Sequence, residues 1–356
     1  MLTTRTPGAA LAWGSGWFCC LQLVLSVLME CGYPELRDLE YARKLDRLIA
    51  RREEHPVRPL LVVLGSSRVS MGLRPDLLND CPPYGQSPLV HNLGFIGGGP
   101  VRERLCLHQL LREGLRPDWL VVEIHPCLLH YVPGSLEDCY LQGERLGWQD
   151  LAVLWRYAHR ARRLGRGWLT ARLVPSLAHR LTILSGLAPR WLPPESREDG
   201  WHGLDAHGWL CYPKLQVSEE EYEASAEAAY RQYRSCFSQF GIAKQADAAL
   251  RELLATCRSA GIAVLLLTMP EGSAFQSWYP PATQDALHAH LTGLSREYGI
   301  PWIDARSWVA DDGFWDGHHL LRDGATVFTE RFRREVLLPW TQGLPLPLPP
   351  AHESLP

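Results

Sequence analysis

Apolar residues occur in two different arrangements along the chain. Short continuous apolar runs, typical of buried strands, lie at 60–64, 89–93, 119–124, 262–269 and 301–304. Most of the segments between these runs carry apolar residues at the three- to four-residue spacing of a helix with one buried face. In α/β proteins, strands that are buried on both faces alternate with such helices. The pattern therefore predicts a three-layer α/β/α sandwich built on a parallel sheet.

One long apolar segment lies near the N-terminus. Residues 6–29 carry no charge, and a segment of this length and composition can span a bilayer. No small-x-small cleavage site follows Leu25, so we expect residues 1–30 to form an uncleaved membrane anchor rather than a signal peptide. Residues 31–57 then place apolar residues at helical spacing between charges, which predicts a stalk helix.

The rest of the chain is predicted to form one domain, 58–338, with a long helical insertion at about 130–244. Within the insertion, residues 151–190 contain eight arginines and no Asp or Glu. A solvated helical face in an arginine-rich chain explains this composition. The alternative is a surface that faces anionic lipid headgroups or an anionic polymer. Residues 339–356 are proline-rich with little periodicity, and we expect a disordered tail.

Charge and cysteine content narrow the class of partner only slightly. A net charge of −3 gives no reason to expect a nucleic-acid partner. The ten cysteines include no CxxC pair and no spacing typical of a small disulfide-rich domain.

Four basic residues follow the apolar segment within 37–47 and only Arg5 precedes it, which by the positive-inside rule favours a cytoplasmic body.

The candidate chemistry lies at the ends of the predicted strands. The first apolar run ends in Gly65-Ser66-Ser67, and Asp316-Gly-His-His319 follows the last one. A serine hydroxyl needs a base to accept its proton, and a carboxylate can fix the tautomer of a histidine base. Ser67, His319 and Asp316 are therefore predicted to form a Ser-His-Asp catalytic site, with the backbone N–H groups of Ser67 and Gly97 binding the oxyanion.

Each of these motifs also has a simpler structural explanation. Gly-Ser-Ser after a strand is commonly a turn or a helix cap, and Asp-x-x-His alone is commonly a surface loop. His318 and His319 with Asp316 also suggest a metal site. However, two histidines adjacent in sequence rarely bind one ion, so we expect neither a metal nor a cofactor. The order of the motifs, each at a strand end, favours the catalytic interpretation.

Together these motifs resemble the SGNH (GDSL-like) hydrolase superfamily, whose fold is a flavodoxin-like sandwich. Gly65–Ser67 is similar to the first block, Gly-Asp-Ser, and Asn92–Gly97 is similar to the second, Asn-Leu-Gly-x-x-Gly. Asp316–Leu320, followed by Gly324, is similar to the last block. The likeness covers residues 60–130 and 245–335. Within the superfamily the chain looks like the membrane-anchored branch related to D-alanyl-lipoteichoic-acid transfer and alginate O-acetylation proteins.

The resemblance implies a serine esterase or O-acyltransferase that acts on an envelope glycan or a related acyl ester. It also implies an extracytoplasmic body, periplasmic or at the cell surface, whereas the positive-inside rule favours a cytoplasmic one. One block departs from the family pattern: where the third block supplies an asparagine, this chain has Glu123-Ile-His125-Pro126. His125 is therefore a candidate third oxyanion donor. The alternative is a non-catalytic membrane-tethered scaffold or a carbohydrate-binding module that retains the fold.

Three further residues are weaker candidates for substrate contacts. Arg68 can bind a carboxylate or a phosphate, although an arginine in a first helical turn more often forms a structural ion pair. Trp201 and His207 belong to a loop rich in Trp, His and Gly that could form a lid.

Overall fold

The computed structural model describes residues 7–79, 87–193, 203–211 and 216–346. The chain divides into two compact units. Unit 1 comprises Met1–Arg43, Gln142–Trp155 and Arg160–His202. Unit 2 comprises Lys44–Leu141, Arg156–His159 and Gly203–Pro356. The segment predicted as one insertion, 130–244, contributes residues to both units.

Helices separate all five strands, and eight of them follow one another within the described residues between the third strand and the fourth. In chain order they are α1 Pro7–Val27, α2 Leu39–Glu54, α3 Ser67–Gly72, α4 Asp76–Asn79, α5 Pro100–Arg112, α6 Pro126–Leu129, α7 Leu136–Tyr140, α8 Trp148–Leu154, α9 Ala161–Leu173, α10 Pro175–Ala178, α11 Arg180–Leu187, α12 Glu219–Ser238, α13 Lys244–Ala260, α14 Ser273–Ser277, α15 Pro281–Tyr298, α16 Arg322–Phe332 and α17 Leu338–Thr341.

Unit 2 contains a five-stranded parallel sheet, which confirms the predicted α/β fold class. Its strands are β1 Leu60–Gly65, β2 Leu89–Gly94, β3 Trp119–Glu123, β4 Ala263–Thr268 and β5 Trp302–Asp304. They pair in the order β2-β1-β3-β4-β5, all in parallel. Every residue of β1 and β2 is buried, as their continuous apolar runs predicted. Ligand sites in such sheets lie beyond the carboxyl ends of the strands.

The helix that follows β1 packs closely on the end of β2. The side-chain amide of Asn92 donates hydrogen bonds to the carbonyls of Val69 (2.7 Å) and Leu73 (2.9 Å), at the end of α3. A Cβ at Gly94 would lie 2.5 Å from the Ser70 nitrogen, so only glycine fits there without a shift of the backbone. Asn92 and Gly94, which resemble the second family block, therefore position α3.

The second half of the predicted stalk packs into unit 2. The ammonium group of Lys44 is buried and donates to the Ser70 hydroxyl (3.0 Å) and to the carbonyl of Gly94. Leu48, one turn further along α2, is also fully buried. This half of α2 is therefore part of the body that holds the sheet. A stalk that lifts the body off a membrane can include at most the residues before it.

The predicted disordered tail is ordered over its first residues. Leu338–Thr341 is the short helix α17, and Trp340 and Leu346 pack against the core that includes Phe328 and Phe332 of α16. The predicted boundary lies at residue 339 because prolines interrupt the periodicity from there on, but apolar side chains beyond it still reach the core. Residues 347–356 lie outside the described part of the chain.

Candidate active site

Ser67 is the first residue of α3 and comes directly after β1. Its neighbour Ser66 is the N-cap, and the Ser66 hydroxyl accepts a hydrogen bond from the Arg68 backbone N–H (3.1 Å). The Ser67 hydroxyl oxygen lies 2.7 Å from Nε2 of His319. The two serines of the motif therefore have different contacts, one capping the helix and the other meeting the histidine.

The loop between β5 and α16 brings a carboxylate to the other side of the His319 ring. Nδ1 of His319 lies 2.7 Å from Oδ2 of Asp316. Oδ1 of Asp316 accepts hydrogen bonds from the backbone N–H groups of His319 (2.8 Å) and His318 (3.1 Å). Burial alone would raise the pKa of Asp316, but the neighbouring histidines and their hydrogen bonds hold this pKa well below its usual value. The carboxylate is therefore ionised and fixed against the imidazole.

The structure thus brings Ser67, His319 and Asp316 into one chain of contacts in the predicted order. With Asp316 accepting from Nδ1, the neutral ring keeps Nε2 free to accept a proton from the serine. The three residues are far apart in the sequence and meet because β1 and the loop after β5 open at the same edge of the sheet. The geometry is that of a nucleophile, a base and an orienting carboxylate.

Two backbone amides near this edge are available as donors. Within the described part of the chain, neither the Ser67 nor the Gly97 N–H donates a hydrogen bond to the protein. The turn after β2 is held against the end of β1 by a hydrogen bond from Phe95 N–H to the Gly65 carbonyl (2.8 Å). Gly97 has a φ of +68°, which favours glycine, and a Cβ there would lie 2.5 Å from the Tyr140 ring.

His125 caps the short helix α6 that follows β3. Its Nδ1 accepts a hydrogen bond from the Cys127 N–H (3.2 Å), so in the neutral ring Nε2 carries the proton. Nε2 is buried and, among the described residues, has no hydrogen-bond partner. Burial lowers the pKa of His125 well below its usual value, and the ring lies 6.5 Å from that of His318. His125 therefore sets the turn and also keeps one buried N–H unused.

His318 is enclosed by aromatic rings rather than by solvent. Its imidazole stacks on Phe275 at 4.9 Å and meets Tyr233 edge-on at 5.4 Å. Nδ1 lies 3.2 Å from Oδ1 of Asp316. Burial lowers the pKa of His318 to about 4, so the ring is neutral at pH 7. Its place beside His319 limits how that ring and Asp316 can move.

We expect His318 to make the protein less stable in mild acid. Its pKa is about 4 when folded and about 6.5 when unfolded, so below pH 6.5 the unfolded chain binds the proton first. Stability is lost as the pH falls from 6.5 towards 4, by about 1.4 kcal/mol per pH unit. Between pH 7 and pH 5, the unfolding free energy of the native protein in urea should fall about 2 kcal/mol more than that of His318→Phe. Parallel curves for the two proteins would contradict the assignment.

Arg68 does not face the site. Its guanidinium is buried and donates to Glu271 (2.9 Å) and to the carbonyls of Met269 (2.6 Å) and Pro270 (3.1 Å). Glu123 lies 3.5 Å from its Nε and accepts a hydrogen bond from the Ser66 N–H (2.6 Å). The ion-pair alternative therefore describes Arg68 better than a substrate contact does. This buried network connects α3 to the ends of β3 and β4.

Of the two loop residues predicted to contact substrate, the structure describes His207 but not Trp201. The His207 carbonyl accepts a hydrogen bond from the Asn92 N–H (2.8 Å), and its ring lies 3.0 Å from the Asn79 amide. These contacts hold the loop beside the edge strand β2, and they engage the ring that was predicted to contact substrate. Trp201, and with it the proposed lid residues before Gly203, lies outside the described residues.

A metal ion would compete with the hydrogen bonds described above. Asp316, His318 and His319 offer ligand atoms that lie within 4.8 Å of one another. However, both ring nitrogens of His319 already have partners in Ser67 and Asp316. Of the three side chains, His318 is the one whose ring nitrogens make no hydrogen bond within the described residues. The contacts present therefore favour proton transfer over metal binding.

A cavity of about 810 Å³ lies beside the site rather than on it. Its walls include Tyr222 of α12, Asp311 and Phe314. Tyr222 also approaches Gly317, in the loop that carries Asp316: a Cβ on Gly317 would lie 3.5 Å from the Tyr222 hydroxyl. Neither Ser67 nor His319 lines this cavity. The surface around Ser67 is therefore formed by other residues.

The role of two buried acidic residues was not predicted. Glu123 was considered only as part of a motif that lacks asparagine, and Glu271 was not among the predicted site residues. Both approach Arg68, which lies next to Ser67 in sequence, from strands more than fifty positions away. The available signal was a charged residue at the end of each of two otherwise apolar runs. Such residues are seldom buried unless they are paired.

Comparison with known proteins identifies no family for this chain. No protein-family model matches the chain. No curated protein matches it either. Similar solved structures include a protein provisionally described as an acylhydrolase from Bacteroides fragilis NCTC 9343, with 13% identity and a TM-score of 0.37, covering 82% of this chain and 94% of that one. Another is LAE5, an α/β hydrolase enzyme from the metagenome of Lake Arreo, Spain, with 12% identity and a TM-score of 0.30, covering 80% of this chain and 95% of that one. Likeness at this level assigns no activity.

Proposed function

We propose that the protein is a serine-dependent acyl ester hydrolase or O-acyltransferase of the SGNH type that forms an acyl-enzyme on Ser67. The observation that carries this proposal is the pair of 2.7 Å contacts that joins Ser67 to His319 and His319 to Asp316. A serine in a turn or a helix cap needs neither contact. A histidine with an ionised carboxylate on one nitrogen and a serine hydroxyl on the other has the arrangement required of a general base.

The reaction follows from the direction of the hydrogen bonds. His319 Nε2 takes the proton of Ser67 as its oxygen attacks the ester carbonyl, and Asp316 stabilises the imidazolium that forms. The amides of Ser67 and Gly97 stabilise the oxyanion. The imidazolium then protonates the leaving alcohol, which departs and leaves the acyl group on Ser67. Water or an acceptor hydroxyl attacks next and gives its proton to His319. His319 returns that proton to the Ser67 oxygen as the bond to the acyl carbon breaks, and the acyl group leaves as an acid or as a new ester.

The substrate class rests on the family resemblance. The membrane-anchored branch that the sequence resembles acts on envelope polymers, so we propose an acylated envelope glycan or a related acyl ester and an extracytoplasmic body. One helical segment, Gly8–Gly32, is long and apolar enough to cross a membrane. A reporter fusion at residue 356 that locates the C-terminus in the cytoplasm would contradict both the location and the glycan substrate.

His125 is proposed as the third oxyanion donor, in the place of the family asparagine. The support is its buried, unused Nε2–H. His125→Ala should lower kcat by about 10²-fold and leave KM nearly unchanged, because a contact made only in the transition state is lost. His125→Asn should restore part of the rate, since asparagine can also cap α6 and donate a hydrogen bond. If His125 only sets the turn, the alanine variant will lose stability while its kcat stays near that of the native enzyme.

The second candidate function is a non-catalytic membrane-tethered scaffold or carbohydrate-binding module. The absence of the third-block asparagine favours it, because a site with one donor fewer is slower by about 10²–10³. A fluorophosphonate probe distinguishes the two candidates, since it forms a covalent adduct with an activated serine. An adduct on Ser67, located by peptide mass spectrometry, supports the enzyme. Lack of labelling together with no hydrolysis of p-nitrophenyl acetate supports the scaffold.

A further inference from the structure

Two helices of unit 1, α9 and α10, pack against the apolar N-terminal helix α1, and α11 follows α10 and contacts it. They belong to the arginine-rich stretch for which sequence analysis left two explanations open. The contacts that join them to α1 decide between a solvated face and a surface that faces lipid.

The first contact fixes the level of α9 along α1. Glu30 follows directly after the uncharged apolar segment and is the first charged residue beyond it. Its carboxylate pairs with Arg172 of α9 at 2.9 Å and with Arg37 at 2.8 Å. A charge at the end of a membrane span lies at the level of the headgroups or above them. The end of α9 is therefore at the same level.

The second contact with α1 lies nearer the middle of the apolar segment. The backbone N–H of Ser176, in α10, donates to the side-chain oxygen of Gln22 at 3.2 Å. Gln22 precedes Glu30 by eight residues, which is about 12 Å along a helix. Between residues 172 and 176 the chain therefore descends along α1 towards the middle of the apolar segment. Gln22 is buried by this contact, whereas its neighbours Leu21 and Leu23 are 53% and 65% exposed.

The segment from Leu169 to Trp191 carries an apolar surface that is exposed. Its exposed large apolar side chains are Leu169, Leu173, Leu177, Leu181, Leu187 and Trp191. Leu187 and Trp191 are 81% and 76% exposed. A cluster of this kind on a water-soluble face is unusual and marks an interaction surface. Its continuity with the exposed apolar surface of α1 indicates that both face the same medium.

The exposed charged side chains on these helices are all basic. Arg162, Arg163 and Arg166 are exposed on the first half of α9, Arg180 is exposed at the start of α11, and Arg190 is exposed after its end. Residues 151–190 contain no Asp or Glu, and Glu30 and Glu144, which approach α9, come from other segments. Long arginine side chains can keep their apolar stems in the acyl region while the guanidinium groups reach the headgroups.

We propose that α9, α10 and α11 lie in the boundary between the headgroups and the acyl chains of an anionic membrane, beside α1. The Leu and Trp side chains enter the acyl region, and the arginines bind phosphate groups of the lipids. Interfacial amphipathic helices penetrate about 5–10 Å, slightly less than the roughly 12 Å that separates Gln22 from Glu30 along α1. The protein would then have a monotopic contact in addition to its single span. The proposal requires α1 to span the bilayer and is independent of the chemistry at Ser67.

The test uses the full-length protein in vesicles that contain a lipid with a photoactivatable diazirine on its acyl chain. After irradiation, adducts are located by peptide mass spectrometry. We expect adducts on peptides from 169–191 at yields comparable to those on α1. The internal control is the peptide with Val327 of α16, an apolar side chain of unit 2 that is 52% exposed, which should stay unlabelled. Adducts on α1 alone would overturn the proposal, and would indicate that another protein or water covers this face.

Two variants separate the contribution of the apolar side chains to the membrane contact from that of the arginines. Leu177→Asp with Leu187→Asp should reduce labelling of 169–191 several-fold and leave α1 labelled. Arg162→Gln, Arg163→Gln and Arg166→Gln together should remove the increase in labelling expected when phosphatidylglycerol is added to phosphatidylcholine vesicles. Equal labelling of the native protein in both kinds of vesicle would overturn the role of the arginines. Unchanged labelling of the aspartate variant would overturn insertion of α10 and α11.

Discussion

Ser67→Ala should lower kcat for p-nitrophenyl acetate by roughly 10⁴- to 10⁶-fold and abolish labelling by a fluorophosphonate probe. The hydroxyl that lies 2.7 Å from His319 is the atom that would carry the acyl group, and alanine has no substitute for it. What remains after its loss is the contribution of the oxyanion donors and of binding alone. The measurement is steady-state hydrolysis together with probe labelling of the same purified, full-length protein.

The matched control is Ser66→Ala, one residue earlier. The Ser66 hydroxyl caps α3 by accepting from the Arg68 N–H, so its loss should destabilise the protein by about 1 kcal/mol. Because the hydroxyl that contacts His319 is that of Ser67, the Ser66 variant should keep its labelling. Native activity in Ser67→Ala would contradict the proposed function, and loss of labelling only in Ser66→Ala would transfer the role to that residue.

The fold class could be predicted because strands that are buried on both faces appear in the sequence as continuous apolar runs. β1 and β4 must be apolar at almost every position, since helices cover both sides of a parallel sheet. Both were found within a residue or two of their observed limits. The partition into two units was not predicted. It depends on which helices of 130–244 pack on α1 and which pack on the sheet, and helical periodicity does not identify the partner of an apolar face.

The catalytic candidates were found for a different reason. Strand ends that open at one edge of a sheet bring distant residues together, so the motifs at Ser67 and Asp316 could be connected without any knowledge of their contacts. The directions of side chains could not be derived in this way. Arg68 lies next to Ser67 but turns to Glu271, because the helix that begins at Ser67 points adjacent residues in different directions. Lys44 was assigned to a stalk, since nothing in its local sequence indicates the carbonyl that it binds.

Arg68→Met should destabilise the protein by about 3–5 kcal/mol, the largest effect on stability that we expect from a single substitution. Arg68 is about 1% exposed, and it is the cation between the buried carboxylates of Glu123 and Glu271. Methionine preserves much of the volume but removes the guanidinium that lies against both carboxylates. The control is Arg334→Met, whose pair with Glu335 is on the surface and should contribute less than 1 kcal/mol. Equal losses in urea unfolding for the two variants would contradict the structural role of Arg68.

The double variant Arg68→Met with Glu271→Gln separates a lost charge pair from lost packing. If the penalty comes from unpaired buried charge, neutralising one carboxylate should recover part of it, and the two substitutions should be non-additive by more than 0.5 kcal/mol. Burial already raises the pKa of Glu123 and of Glu271 against the opposing effect of Arg68. Without the arginine, these carboxyls should take up protons more readily, so the destabilisation should shrink as the pH falls. A destabilisation that is constant with pH and fully additive in the double variant would show that the side chain acts through packing alone.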